Sequence, residues 1–336
     1  MARPIDEIAM AWSALSGSSG KEGWQTIPVP PVGPCCLLAA RRIPGDEEAL
    51  LVGFASILIP PAEKLPEGRG FSVARVEPGL SEAGRVWLAL SRQPSGKPDL
   101  FATMVADVLG AMDAEAAAGE QRLLRVFLGR VRAWQEFMRR GADVLGPEAE
   151  VGLVGELVFL ESLIEAGIVP LVAVEAWVGP LDGIQDFILG TGAVEVKSTL
   201  SAIGFTARIG SLEQLDDSVR KPLFVAGERL SQTSTGFNLP DFVGEVRRVL
   251  RGDAPAQSLF AERLLAAGYL DAHSDRYPRR FVRAATKLVE VGEGFPRLTP
   301  GTAPKGIRKA IYEIDLDRTG GAALSAADVL KKLGAI

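Results

Sequence analysis

The sequence predicts a mixed α/β (α+β) protein. Short apolar runs broken by Gly, Ser and Pro dominate the first hundred residues, a long amphipathic stretch follows at 114–140, and beyond it helix-period and strand-period segments alternate. Hydrophobic residues make up 47% of the chain and charged residues 24%, ordinary globular usage that argues against a disordered or fibrous protein. A chain of 336 residues has room for two or three structural units.

Residues 5–15 read as a helix and 35–42, 51–59, 71–76 and 85–91 as strands, which together define a β-rich N-terminal domain over 1–113. Helices are expected at 100–112 and 114–140. In the second, Leu124, Phe127, Val131, Trp134 and Met138 share one face, and 114–150 is read as a linking amphipathic helix that Gly146-Pro147 ends. From Gly152 onward Leu153, Leu157, Leu160 and Ile164 again share a helical face. Strands at 171–177, 184–189, 193–198 and 204–209, a helix at 211–219 capped by Ser211, and a strand at 222–226 complete a core over 151–235. Helices at 239–250, 257–267 and 326–333, the last capped by Ser325, and strands at 281–291 and 310–315 form a C-terminal α/β extension, 236–336, packed on that core.

Composition removes several function classes. With a formal net charge of −5, the chain does not coat a duplex by bulk positive potential, so any nucleic-acid contact is local. The basic stretch between 276 and 309 faces only Glu290 and Glu293; Arg279, Arg280 and Arg283 in it are candidates for phosphate contacts, with a solvated charged face as the alternative. Cys35 and Cys36 are adjacent and form neither a disulfide framework nor a Cys-rich zinc site. His273 is the single histidine, in the polar run Asp-Ala-His-Ser-Asp-Arg, and is expected in a surface loop; triads and His-ligated metal sites would all have to rest on it. The apolar run 49–59 stops at Pro60-Pro61, short of the ~20 residues of a spanning helix. A soluble, cytoplasmic protein with no membrane partner is expected.

The chemistry-bearing segment is Ile184-Gln185-Asp186-Phe187-Ile188-Leu189-Gly190-Thr191-Gly192-Ala193-Val194-Glu195-Val196-Lys197-Ser198. The Gly-Thr-Gly turn folds two apolar strands into a hairpin that brings Asp186 near Glu195. Glu195 and Lys197, two apart, project from one face while Val194 and Val196 take the other. Burying such charges unpaired costs several kcal/mol, and a divalent cation between the carboxylates would offset it. Hard oxygen ligands suit Mg2+, or Mn2+ in its place, with Lys197 positioning an attacking water and stabilising charge that grows on a phosphate. A cross-strand ion pair with a turn residue is the bland alternative for the same spacing. Ser198 and Thr199, with Ser211, are candidate hydrogen-bond donors to phosphate oxygens, although strand-end hydroxyls usually serve turns. Trp177 is expected in the core.

Gly152-Leu153-Val154-Gly155-Glu156-Leu157, Trp177-Val178-Gly179-Pro180, Asp186-Phe187, Val194-Glu195-Val196-Lys197-Ser198 and Gln214-Leu215-Asp216 together resemble the ordered motifs of the PD-(D/E)XK family known as domain of unknown function 4420. The likeness continues through Gly268-Tyr269, Phe295-Pro296-Arg297-Leu298 and Ile311-Tyr312-Glu313-Ile314 and is looser before the core. It implies a restriction-endonuclease-like core, a mixed sheet flanked by helices, with Asp186, Glu195 and Glu156 as metal ligands and Lys197 as the catalytic lysine. It also implies a helical position for Gln214, orienting the lysine or a phosphate. The first acidic motif departs from the pattern, Gln185-Asp186 standing where Pro-Asp is usual.

The activity implied is Mg2+-dependent endonucleolytic hydrolysis of DNA in a bacterial restriction or phage-defence system, with other subunits of that system as partners and a homodimer for double-strand cleavage. The alternative is a catalytically inactive scaffold or DNA-binding subunit on the same fold.

Overall fold

The chain divides into two units, Met1–Ala142 and Asp143–Ile336. The computed structural model describes residues 5–17, 22–55, 57, 64–78, 84–139, 141, 143–320 and 324–336. Among the described residues no helix is long and apolar enough to cross a membrane.

The first unit opens with α1 (Ile5–Leu15) and continues into an antiparallel sheet of β1 (Gly23–Val32), β2 (Cys35–Ile43), β3 (Glu48–Phe54), β4 (Glu67–Gly68), β5 (Phe71–Val76) and β6 (Val86–Arg92), in the order β1-β2-β3-β6-β5-β4. Sequence alone shows no strand at 23–32, because Pro28, Pro30 and Pro31 cannot complete a two-sided ladder. β1 forms at the sheet's edge, where a missing N–H is tolerated. The strand expected at 51–59 is the later part of β3, and positions 56 and 58–59 lie outside the described residues. Leu50, Leu51 and Val52 are buried without break, so this strand is covered on both faces. Arg41, nearly buried, pairs with Glu48 at 2.9 Å and donates to the Trp12 carbonyl at 2.8 Å, fixing α1 to β2.

Helices α2 (Pro98–Ala114) and α3 (Glu120–Arg139) close this unit. The expected apolar face of α3 is in place, with Leu124, Phe127, Val131 and Trp134 buried. The helix begins at Glu120 and not at 114, and position 140 lies outside the described residues. Asp107 of α2 accepts from Arg130 at 2.6 Å and from the Trp134 indole at 2.7 Å, which locks the two helices.

The second unit is built on α4 (Pro147–Glu165), α5 (Pro170–Ala176), β7 (Phe187–Leu189), β8 (Gly192–Thr199), β9 (Thr206–Ile209), β10 (Leu223–Thr233), α6 (Leu239–Val249), α7 (Ala254–Ala266), β11 (Arg280–Glu290), β12 (Tyr312–Asp315) and α8 (Ala326–Leu333). Its main sheet runs β11-β10-β8-β7 and is mixed: β10 is parallel to β8, whereas β7 and β11 pair antiparallel with their neighbours. A short ribbon of β9 and β12 stands apart.

Three expectations are corrected here. α4 starts at Pro147 rather than Gly152; a proline at the first helical position lacks an N–H that would have no partner there anyway. Residues 171–177 were expected as a strand, yet Pro170–Ala176 is a helix. A run this short carries no usable period, and Ala173, Val174 and Ala176 pack as a helical face in the core. The helix expected at 211–219 is absent, and that stretch is a series of turns. Side chains there satisfy the backbone locally: Gln214 Oε1 accepts from Gly210 N–H at 2.7 Å and Asp216 from Ser218 N–H at 3.0 Å, competing with helical bonds.

The two faces of the main sheet follow from alternation. Val194 and Val196 of β8 and Phe224 and Ala226 of β10 face the core shared with Leu153, Val154 and Leu157 of α4. Ala193, Leu223 and Val225 face a second core with Phe205, Leu215, Phe295 and Leu316. Close approach of α4 to the first face requires Gly155, where a Cβ would stand 1.8 Å from Ser198 Oγ and 3.5 Å from the Cβ of Glu228.

Glu228, 1% exposed on β10, is a buried acid on that α4 face, its Oε2 accepting from Thr286 Oγ1 at 2.7 Å. Burial pushes its carboxyl up to about 7, against the smaller opposing pulls of the Thr286 hydroxyl and the Arg283 charge. The folded state therefore holds a proton that the unfolded chain releases near the ordinary carboxylate range. This contribution is present below about pH 4.5 and is lost as pH rises through about 7. Glu228→Gln, which can still accept from Thr286, is expected to flatten that part of the stability profile and to raise the melting temperature above pH 7. Thermal melts of both proteins from pH 5 to 8.5 check it, and parallel profiles would contradict it.

Candidate active site

The β7–β8 hairpin turns at Gly190, whose φ of 55° lies in the left-handed region that glycine enters at no cost. Its register, Phe187 opposite Val194, sets Asp186 opposite Glu195. Val196 N–H donates to Asp186 Oδ2 at 2.7 Å and holds that carboxylate against β8. Two residues along the same face, Lys197 Nζ meets Glu195 Oε1 at 2.6 Å. The ammonium also donates to Gln214 Oε1 at 3.3 Å.

Glu156 joins this group from α4. Its Oε2 accepts from the indole N–H of Trp177 at 2.6 Å. Between Glu156 and Asp186 the chain carries Gly179, where a Cβ would stand 2.8 Å from Asp186 Oδ1 and 3.1 Å from Glu156 Oε2. A glycine there leaves the space beside two carboxylate oxygens open. Trp177 is fully buried, as expected of a core aromatic, and its polar edge orients an acid.

The electrostatics are those of acids crowded out of water. Burial pushes the Glu195 carboxyl up to about 8, helped by the Asp186 charge and opposed by Lys197. Burial also raises Asp186, against the pull of Lys197 and of the Val196 N–H. Glu156 is driven well above the carboxylate range by burial and by Asp186. For Lys197 burial works against the charge, but Glu195, followed by Asp186 and Glu156, outweighs it, and the ammonium is held above its ordinary value.

Glu195 is 1% exposed, and neither of its oxygens has a well-directed hydrogen bond; the 2.6 Å approach of Lys197 is an ion-pair contact. A buried carboxylate left this way is costly, and a divalent cation would satisfy it. Among the described residues no three or more His, Cys, Asp or Glu side chains stand together as a ready cage. Magnesium does not need one, since it takes one or two carboxylates and fills its remaining positions with water and substrate oxygens. Glu195 and Asp186 fit that donor set, with Glu156 beside them.

The other candidates lie elsewhere. Ser198 faces α4, its buried Oγ at Gly155, and Thr199 Oγ1 is engaged with Thr206 Oγ1 at 2.9 Å and Ser201 N–H at 3.1 Å. Ser211 Oγ accepts from Glu213 N–H at 3.3 Å. Arg279 pairs with Glu150 at 2.6 Å, Arg280 with Asp241 at 3.1 Å, and Arg283 with Glu161, stacked over the Phe242 ring. Arg280 and Arg283 belong to β11, which β10 separates from β8, so the sheet does not bring them to the acids. His273 lies in a 3-10 turn, Asp271–Arg276, partly buried.

Two residues escape sequence reasoning. Gln185, buried before Asp186, donates from Nε2 to the carbonyls of Glu213 and Gln214 at 3.3 Å each. Arg297 donates to the Leu215 carbonyl at 2.7 Å. No local spacing signals these ties, because they reach a segment remote in the sequence, mostly through its backbone carbonyls.

A mixed sheet flanked by helices, with an acid before one strand and E-x-K on the next, defines an α+β fold of the PD-(D/E)XK type, a nuclease-like class. The chain belongs to the family described as "Putative PD-(D/E)XK family member, (DUF4420)", whose model matches residues 8–317. No curated protein and no solved structure matches it.

Gly179→Ala would drive a methyl group towards Asp186 and Glu156. It is expected to weaken manganese binding roughly tenfold, the scale of an altered metal surround, while the melting temperature shifts little. Calorimetric titration checks this, and unchanged affinity would show that the opening is unused.

Proposed function

We propose that this chain is a metal-dependent nuclease hydrolysing DNA phosphodiester bonds, an Mg2+- or Mn2+-dependent endodeoxyribonuclease of a bacterial restriction or phage-defence system. The observation that carries the reading is Glu195, a buried acid with unsatisfied oxygens beside Asp186 and a lysine. Family membership supports the nuclease class. In this reading Asp186 and Glu195, assisted by Glu156, hold the ion. When bound, a divalent ion supplies Lewis-acid polarisation of the phosphate and a more acidic water.

The chain's own residues do the rest. Lys197, kept cationic by the acids around it, orients the attacking water and offsets negative charge growing on the phosphate oxygens. Gln214 Oε1 fixes the direction of the ammonium. Val196 N–H keeps Asp186 from rotating away, and Trp177 does the same for Glu156. The arginines of β11 are engaged within the fold, which favours a subunit that receives DNA from partners over one that captures it by charge. A homodimer would supply the second centre that double-strand cleavage needs.

Purified protein, with its partners and varied DNA, is expected to cut in the presence of Mg2+ or Mn2+. Lys197→Ala and Asp186→Ala should each reduce cleavage by about a hundredfold or more with folding retained. Lys197→Ala should still take up manganese, whereas Asp186→Ala should bind it weakly. No cleavage and no binding heat from the wild-type chain would favour the inactive scaffold instead.

A further inference from the structure

Lys197 is held from two directions. Glu195 meets its ammonium on its own strand, and Gln214 Oε1 accepts from it at 3.3 Å on the other side. Gln214 is the weaker support on topological grounds, because the segment 210–222 between β9 and β10 has neither helix nor strand to fix it. A side chain on such a segment keeps one position only where the backbone beneath it is tied from outside.

The ties are present and come from two distant places. Gln185 spans the carbonyls of Glu213 and Gln214 from the hairpin side. Arg297 reaches the Leu215 carbonyl at 2.7 Å and Asp217 Oδ1 at 2.9 Å. Arg297 is itself braced: Leu298 N–H donates to the Tyr312 hydroxyl at 2.9 Å, and Tyr312 pairs in β12 with Ile209 of β9, next to Gly210. Phe295 and Leu215 share one apolar cluster. The segments Phe295-Pro296-Arg297-Leu298 and Ile311-Tyr312-Glu313-Ile314, far along the chain and outside the D…E-x-K set, thus converge on the loop under Gln214.

We infer that Arg297, seconded by Gln185, is a positioning residue for Lys197, acting through the backbone of residues 213–217 to hold Gln214 against the ammonium. The inference rests on the catalytic role given to Lys197 above. Arg297 contacts neither Asp186 nor Glu195 in the ties described, so ion binding and lysine placement are separable. Gly210 N–H reports on the arrangement directly, because it donates to the same Gln214 oxygen that Lys197 uses.

The test compares full-length wild type with Arg297→Met and Arg297→Lys. Three readouts are followed: exchange of the Gly210 amide by NMR, manganese affinity by calorimetry, and kcat and KM on a DNA that the wild type cuts. In Arg297→Met, Gly210 is expected to exchange at least about tenfold faster and kcat to fall about a hundredfold, the scale of a misplacement by an ångström. KM and manganese affinity should stay within about twofold. Arg297→Lys, which can still reach the carbonyl and Asp217, should recover most of kcat.

Unchanged kcat in folded Arg297→Met overturns the inference, as does a loss that Arg297→Lys leaves uncorrected. Should Arg297→Met fail to fold, Gln185→Met removes the other tie at similar volume and is judged by Gly210 exchange and kcat. If the wild type cuts nothing, the nuclease reading falls on its own account. Gly210 exchange then decides the positioning alone, and an unaltered rate refutes it.

Discussion

The second unit depends on one constraint: β8 must bury Val194 and Val196 against α4, and strand alternation therefore commits Glu195 and Lys197 to the opposite side. Neither charge can be traded for the surface without turning the whole strand over. The fold accepts an acid that is 1% exposed and lacks a directed donor, and arranges its neighbours to make that bearable. The ammonium sits against it, a backbone N–H takes up Asp186, and an indole takes up Glu156. Among the buried side-chain atoms of the described residues left without a hydrogen bond, Glu195 is the one residue with both carboxylate oxygens in that state.

α4 shows the same economy of charge along its length. Glu150 and Glu161 are each met by an arginine from the β11 region, Arg279 and Arg283. Glu156, between them, receives a neutral indole N–H instead. Two acids of the helix are thus neutralised as struts between helix and sheet, and the middle one lies in the field of Asp186 and Glu195 with no cation of its own among the described residues. The contrast separates structural carboxylates from a candidate ligand more clearly than exposure does.

Much of this was legible in the sequence because the site is local. Asp186, Glu195 and Lys197 fall within one hairpin, so turn chemistry and period-two alternation were enough to bring them together. Glu156 was legible only through the family likeness; periodicity showed a core helix and nothing more. The same parity that turns Val194 and Val196 towards α4 also turns Ser198 there, which places its buried Oγ beside Gly155. Arg279 and Arg283 read as part of an exposed cluster because their partners Glu150 and Glu161 are more than a hundred residues away, and the Asp241 partner of Arg280 is 39 residues away, all beyond any local window. The turns at 211–219 escaped notice for the opposite reason, since bonds between side chains and nearby backbone took the place of the helix that Ser211 as a cap suggested.

Gly227 of β10 lies in register with Lys197, and a Cβ there would stand 2.6 Å from Leu316 and 2.7 Å from Phe205. Its bare backbone lets two greasy side chains descend onto the sheet next door to the lysine. The thickness of this layer is set by a residue that has no functional group to offer. Enlarging it would push those side chains off the strand, so a position of β10 with nothing to donate or accept governs how closely this layer lies beside Lys197.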